Sequence, residues 1–196
     1  MPRSSSTALN PLRAIDAEGP SSSTVACSGS VAERCRGTSW ADLARDALIE
    51  TIQRAAGLHD IGKLAIPDSI LNKPTELDPD AAMFMRSHPL IGERILTAAP
   101  CLAPVARLVR ASHEAFDGSG YPDGLAENDI PLGSRIIATC DAYQSMTTPR
   151  TYTPELTPDD AEHELRRCAG SQFDPVVVDA FCRARRQAPE RAAQHT

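Results

Sequence analysis

Five side chains able to ligate a metal are spread over separate stretches of this chain: His59 and Asp60 in HDIGK, His88 ahead of Pro89, His113 in SHEAFDGSGYP, and Asp141. Imidazole nitrogens and carboxylate oxygens together are a donor set for one or two divalent transition metals. Metals held that way hydrolyse phosphoesters without a side-chain nucleophile, because they acidify water and stabilise charge on phosphorus. Phosphoester hydrolysis is therefore the first chemistry to expect. Read on a helix, His59 and Asp60 point about 100° apart, so they share an ion only over the groove between them. The Asp60 carboxylate can then bridge to a second ion. Lys63 follows His59 by four residues and Asp60 by three, which returns its ammonium to the same face, where it can hold a phosphate oxygen. Singly, each residue has a plainer role: Lys63 as a helix C-terminal charge, Asp141 as a capping or solvated carboxylate. His163 and His195 stand outside the constellation and read as structural.

Helices must bring these residues together. Leu43, Ala47, Leu48, Ile52 and Ala55 fall at helical spacing and lead into Leu58-His59-Asp60, so one helix is expected from just after Ser39 to a break at Ile66-Pro67-Asp68. Asp78-Pro79 supplies an N-cap and a first-turn proline for the next helix, which is expected to carry His88 at its end, before Pro89. A further helix should run from Ala103-Pro104 to His113, and another from Ser134 to Met146 carrying Asp141. Between them, Asp117 to Gly124 is dense in turn residues and reads as an ordered loop with several positions open to positive φ. Thr157-Pro158 and Asp174-Pro175 open the last two helices, with Gly170 ending the first of them. No segment shows a convincing two-residue alternation, so the fold class is all-α. Residues 1–38, rich in Ser, Ala, Gly and Pro, are expected to lack order. The domain is expected over 39–186, with a tail over 187–196.

Composition bounds the rest. A chain of 196 residues accommodates one well-buried core, and 41% apolar with only 4% aromatic residues makes that core aliphatic, as packed helices prefer. The formal charge of -6, without a long Lys/Arg run, argues against DNA or RNA as partner, whereas a small phosphorylated ligand remains compatible because bound metals reverse the local sign. Six cysteines without CxxC pairing read as free thiols of a reducing compartment. With no apolar run of membrane-spanning length and no signal-like h-region, a cytoplasmic location is expected, without a membrane partner.

HDIGK at 59–63, His88-Pro89, His113-Glu114, DGSGYP at 117–122 and Asp141 together resemble the HD-GYP family, a branch of the HD phosphohydrolase superfamily, over about residues 45–182. The resemblance implies an HD-type helical bundle with a glycine-rich GYP loop. It further implies a centre of two or more iron or manganese ions and hydrolysis of cyclic di-GMP to pGpG or GMP in second-messenger signalling. By the same resemblance His59, Asp60, His88, His113 and Asp141 are metal ligands, Asp60 and Lys63 act in catalysis, and Lys63, Tyr121 and Arg150 face the dinucleotide. The GYP loop is expected to be a possible docking surface for a signalling protein. The chain departs from the pattern in three places: no His precedes His59, Ser112 replaces the first His of His-His-Glu, and Thr153 stands where a basic residue closes Arg-x-Tyr-Lys/Arg. These departures support an alternative in which an impaired domain binds nucleotide or protein, and the wider superfamily allows another nucleotide as substrate.

Overall fold

The computed structural model describes residues 40–73, 77–148 and 155–193, with side chains in the last helix through residue 187. The segment 1–38, Ser39, Arg150 and Thr153, and the tail beyond 193, lie outside the described residues. The chain divides into two units, Met1–Leu43 and Ala44–Thr196, and apart from residues 40–43 everything described below belongs to the second. The described residues are helical: α1 (Trp40–Leu58), α2 (Asp68–Leu71), α3 (Pro79–Met85), α4 (His88–Thr97), α5 (Ala103–Arg110), α6 (Leu132–Thr147), α7 (Pro158–Arg167) and α8 (Pro175–Ala193), with short 3-10 turns at Ile61–Ala65, Pro100–Leu102 and Glu127–Asp129. The only extended pairing among them is an isolated bridge between Ala169 and Phe173.

Helix starts follow the local chemistry. Asp78 accepts from the Ala81 N–H at 2.9 Å and Thr157 from the Asp160 N–H at 3.2 Å, each satisfying a free first-turn donor ahead of a proline that has none to lose. Asp174 accepts from the Val176 N–H at 2.8 Å and also holds Arg135 of α6 at 2.6 Å.

Helix ends differ from expectation at the positions that matter. α1 stops at Leu58, so His59 and Asp60 lie in a turn, followed by the 3-10 turn Ile61–Ala65 in place of a helix continuing to Ile66. The cause is a close backbone approach. A Cβ at Gly62 would stand 1.9 Å from the His88 carbonyl oxygen and 2.7 Å from the Gly92 nitrogen, so this turn lies directly against α4. His88 opens α4 rather than closing α3, because Pro89 fits the first helical turn, where its missing N–H costs no bond. α5 likewise ends at Arg110, leaving Ala111 to His113 as a turn. α6 starts at Leu132, two residues before the predicted Ser134.

Two apolar clusters hold the larger unit together. Ala55, Leu96, Val105, Ala106, Leu108, Val109 and Ile137 form one among α1, α4, α5 and α6. Leu165, Phe173, Val178 and Cys182 form the other, with Ala142, Tyr143 and Met146 of α6 packed against it. The aliphatic core expected from composition is present. The apolar stripe of α1 is only partly used: Ala55 is buried, whereas Leu48 is 51% exposed. Cys101, Cys140, Cys168 and Cys182 are free thiols. No helix among the described residues is long and apolar enough to cross a membrane.

Candidate metal centre and substrate cleft

The turn after α1 and the first residue of α4 present their imidazoles in the same way. His59 Nδ1 lies 2.8 Å from the Ala56 carbonyl oxygen, and His88 Nδ1 lies 2.8 Å from the Met85 carbonyl oxygen. A carbonyl can only accept, so each Nδ1 carries the proton and each Nε2 offers a lone pair. Metal-binding imidazoles typically donate their other ring N–H to a backbone carbonyl in this way. His113, in the turn after α5, brings its Nε2 to 3.0 Å from that of His88. A metal–nitrogen distance of about 2.0–2.1 Å lets a single ion touch both atoms.

Asp60 joins these groups. Its Oδ1 is buried without a hydrogen-bond partner, 3.5 Å from His88 Nε2, and Asp60, His88 and His113 offer three ligand atoms within 4.8 Å of one another. Its Oδ2 takes the Lys63 ammonium at 2.6 Å and lies 3.6 Å from His59 Nε2, which is also 3.6 Å from Asp141 Oδ1. The carboxylate therefore turns one oxygen to His88 and His113 and the other to Lys63 and His59. Burial opposes its charge, but the Lys63 hydrogen bond and the nearby imidazoles outweigh burial and hold the Asp60 pKa below the ordinary carboxyl value. Burial lowers the pKa of His88, and burial followed by the proximity of His88 lowers that of His113 to about 4. Near neutral pH both rings keep their lone pairs. An orphaned buried anion oxygen beside converging imidazole lone pairs fits a divalent cation.

The loop after His113 forms one wall of a cleft. Glu114 is 5% exposed and its carboxylate accepts from the N–H groups of Asp123 at 2.7 Å and Leu125 at 3.1 Å. Arg110 pairs with Asp123 through two bonds of 2.7 and 2.8 Å and also binds Glu93 of α4. At Gly120 a Cβ would meet the Ala115 nitrogen at 2.1 Å, so a side chain there would hold the loop off its own base. Gly118 and Gly124 take positive φ of 83° and 67°, as the turn composition predicted. The Tyr121 N–H donates to the His113 carbonyl at 3.1 Å, and the Tyr121 ring stacks on the His113 ring, 5.2 Å between centroids and 4° between planes. The Arg86 guanidinium lies over the Tyr121 ring at 5.6 Å. The cleft, of about 490 Å³, is lined by Arg86, His113, Tyr121 and Asp141, with Ser171 and Gln172 on the side of the α7–α8 turn.

Residues 15–177 match the HD domain family. The chain belongs to the HD domain family. This HD domain is related to cyclic-dinucleotide phosphodiesterases. It is 41% identical over 150 residues to a probable cyclic di-GMP phosphodiesterase of Vibrio cholerae, covering 72% of this chain and 34% of that protein. It is 39% identical over 144 residues to a cyclic di-GMP phosphodiesterase of Thermotoga maritima, covering 72% of this chain and 39% of the relative. A 3'3'-cGAMP-specific phosphodiesterase 2 of Vibrio cholerae is 39% identical over 132 residues, covering 66% of this chain and 25% of its own. The chain thus spans well under half the length of these relatives. Among solved structures, a cyclic GMP-AMP specific phosphodiesterase of V. cholerae superposes with a TM-score of 0.51 at 18% identity, over 66% of this chain and 36% of that one, a likeness of fold.

Within this HD domain, the predicted residues His59, Asp60, Lys63, His88, His113, Asp141 and Tyr121 converge, while Arg150 lies outside the described residues. Ser112 is buried and its hydroxyl donates to the Val109 carbonyl at 2.8 Å, which leaves it bonded within its own turn. Three contributors were not singled out from sequence. The HDIGK motif contained the Gly62 signal, but its reason is the approach of α4. Glu114 was visible only as a motif letter. Arg86, two residues before His88, had no local signal, since an arginine at a helix end is ordinary.

Proposed function

We propose that this HD domain is a metal-dependent phosphodiesterase of cyclic dinucleotides, with cyclic di-GMP as first substrate and two divalent ions, iron or manganese, as cofactors. The observation that carries this reading is the split Asp60 carboxylate, one oxygen buried and unpartnered beside His88 and His113, the other beside His59 and Lys63. His59, Asp60, His88, His113 and Asp141 would hold the metal. Divalent ions there would supply Lewis acidity toward a phosphoryl oxygen and lower the pKa of water. Asp60 keeps its charge at neutral pH and orients Lys63, whose ammonium is then poised for an equatorial phosphoryl oxygen. The stacked Tyr121 and His113 rings form one side of the centre, next to the cleft that would receive the dinucleotide. Arg150 is assigned a phosphate contact by resemblance. The functional domain is read as residues 39–186 and the location as cytoplasmic; a signalling protein that docks on the loop around Tyr121 is a further part of the reading.

The relatives act on two dinucleotides, so 3'3'-cGAMP is the competing substrate. A second reading, binding without turnover, is favoured by one observation: Ser112, bonded to Val109, stands where the HD-GYP pattern has an imidazole. Elemental analysis of the purified full chain, followed by chromatography of cyclic di-GMP and 3'3'-cGAMP reactions on the same sample after manganese or ferrous iron is supplied, separates these readings. The expected result is about two metals per chain with linear product. Asp60→Ala should cost at least about 100-fold in turnover together with metal content. Metal-loaded, folded protein that binds the dinucleotide and forms no product establishes the second reading instead.

A further inference from the structure

Arg86 is the one cationic side chain lining the cleft among the described residues, and its guanidinium makes no ion pair or hydrogen bond with any of them. Lys63, the other cation near the centre, is already bonded to Asp60 at 2.6 Å. The acidic groups of the lining have their own partners: Glu114 holds the Asp123 and Leu125 N–H groups, Asp117 accepts from Ser119 at 2.6 and 2.9 Å, and Asp141 faces His59 at 3.6 Å. What fixes Arg86 is backbone and ring. Its N–H closes α3 onto the Ala82 and Phe84 carbonyls, and its head lies over Tyr121, which stacks on His113. A contact of that kind is weak at an exposed site and uses none of the five guanidinium N–H donors. The result is a planar cation with its donors free, set beside the metal centre and separated from His113 by one aromatic ring.

We propose that Arg86 binds the phosphodiester that is not being cleaved, so that a substrate with two phosphodiesters is held at both, one at the Asp60 centre and one at the guanidinium. This inference rests on the dinucleotide reading above. A cyclic dinucleotide carries two phosphodiesters in one ring, and a bidentate guanidinium is the side chain suited to the second. Arg86 is thereby a positioning and specificity residue: it favours cyclic dinucleotides over esters with a single phosphate and takes no part in bond breaking.

The test compares metal-loaded wild type, Arg86→Ala and Arg86→Lys on cyclic di-GMP and on bis(p-nitrophenyl) phosphate, which has one phosphodiester. In Arg86→Ala the ratio of kcat/KM for the dinucleotide to that for the simple ester should fall about tenfold or more, carried by KM for the dinucleotide, with metal content retained. Arg86→Lys, which keeps the charge and loses the fork, should recover part of the ratio. An unchanged ratio, or an equal loss on both substrates, overturns the role of Arg86 while leaving the phosphodiesterase reading intact. A wild type that neither binds nor cleaves cyclic di-GMP or 3'3'-cGAMP overturns that reading and this inference with it.

Discussion

Both oxygens of the Glu114 carboxylate are taken by N–H groups of the loop that presents Tyr121, so this buried side chain helps to hold the loop over the centre, together with Arg110 on Asp123 and the Tyr121 N–H on the His113 carbonyl. Glu114→Gln keeps the size but turns an amide donor toward one of those N–H groups. A buried donor left unsatisfied costs about 1–3 kcal/mol. The expected outcome is faster hydrogen exchange at the Asp123 and Leu125 amides and reduced turnover with metal content retained. Loss of metal in this variant would mean that the loop and the centre are not separable. The pairing is also a measure of what residue types alone convey. The ligand-type residues were legible because the chain has only five histidines and three of them fall in short motifs, one directly beside Asp60. Glu114 and Arg86 were not, since a Glu or an Arg acquires its role only from which backbone or ring lies opposite.

At the scale of the element, the side-chain-capped starts of α3, α7 and α8 were legible, whereas the start of α4 and the ends of α1 and α5 were not. Asp78, Thr157 and Asp174 cap from positions adjacent in sequence, and the prolines that follow restrict the first turn on their own. The ends of α1 and α5, by contrast, are set by what packs there. His59, His88 and His113 all lie at helix boundaries, whereas local periodicity carried the helices through or up to them. Gly62 shows the physical reason most directly, because the backbone of one element occupies the space of a missing side chain on another. Gly62→Ala must push the 3-10 turn off α4, an overpacking expected to cost about 1–3 kcal/mol or more. It should also separate Asp60 from His88, so thermal unfolding and metal content should fall together. A variant that melts early yet binds metal like wild type would contradict the link between that packing and the centre.

At the scale of the whole larger unit, the second core is held by charge as well as by apolar contact. Glu162 of α7 is buried and receives Arg185 at 2.7 Å, together with Arg166 and Arg186. The hydrogen bond from Arg185, reinforced by Arg186 and Arg166, holds its carboxyl down at about 2. A carboxyl depressed in the folded state stabilises fully above its unfolded value of 4.5, and that contribution disappears as pH falls toward about 2. Denaturant melts of wild type and Glu162→Gln should therefore differ most near neutral pH and converge through that acid window. A gap that stays constant with pH would assign the effect to packing.

α6 runs through both clusters. Ile137 is buried in the first core, Ala142, Tyr143 and Met146 pack on the second, and Asp141 lies on the stretch between, one turn beyond Ile137. A helix of this kind behaves as a stiff axle over so short a length. Any rearrangement that slides α7 and α8 against the first core must turn or translate that axle, and it carries Asp141 relative to His59. The candidate centre is in this sense a mechanical gauge, in which one carboxylate registers how the two halves of the hydrophobic interior are seated on each other.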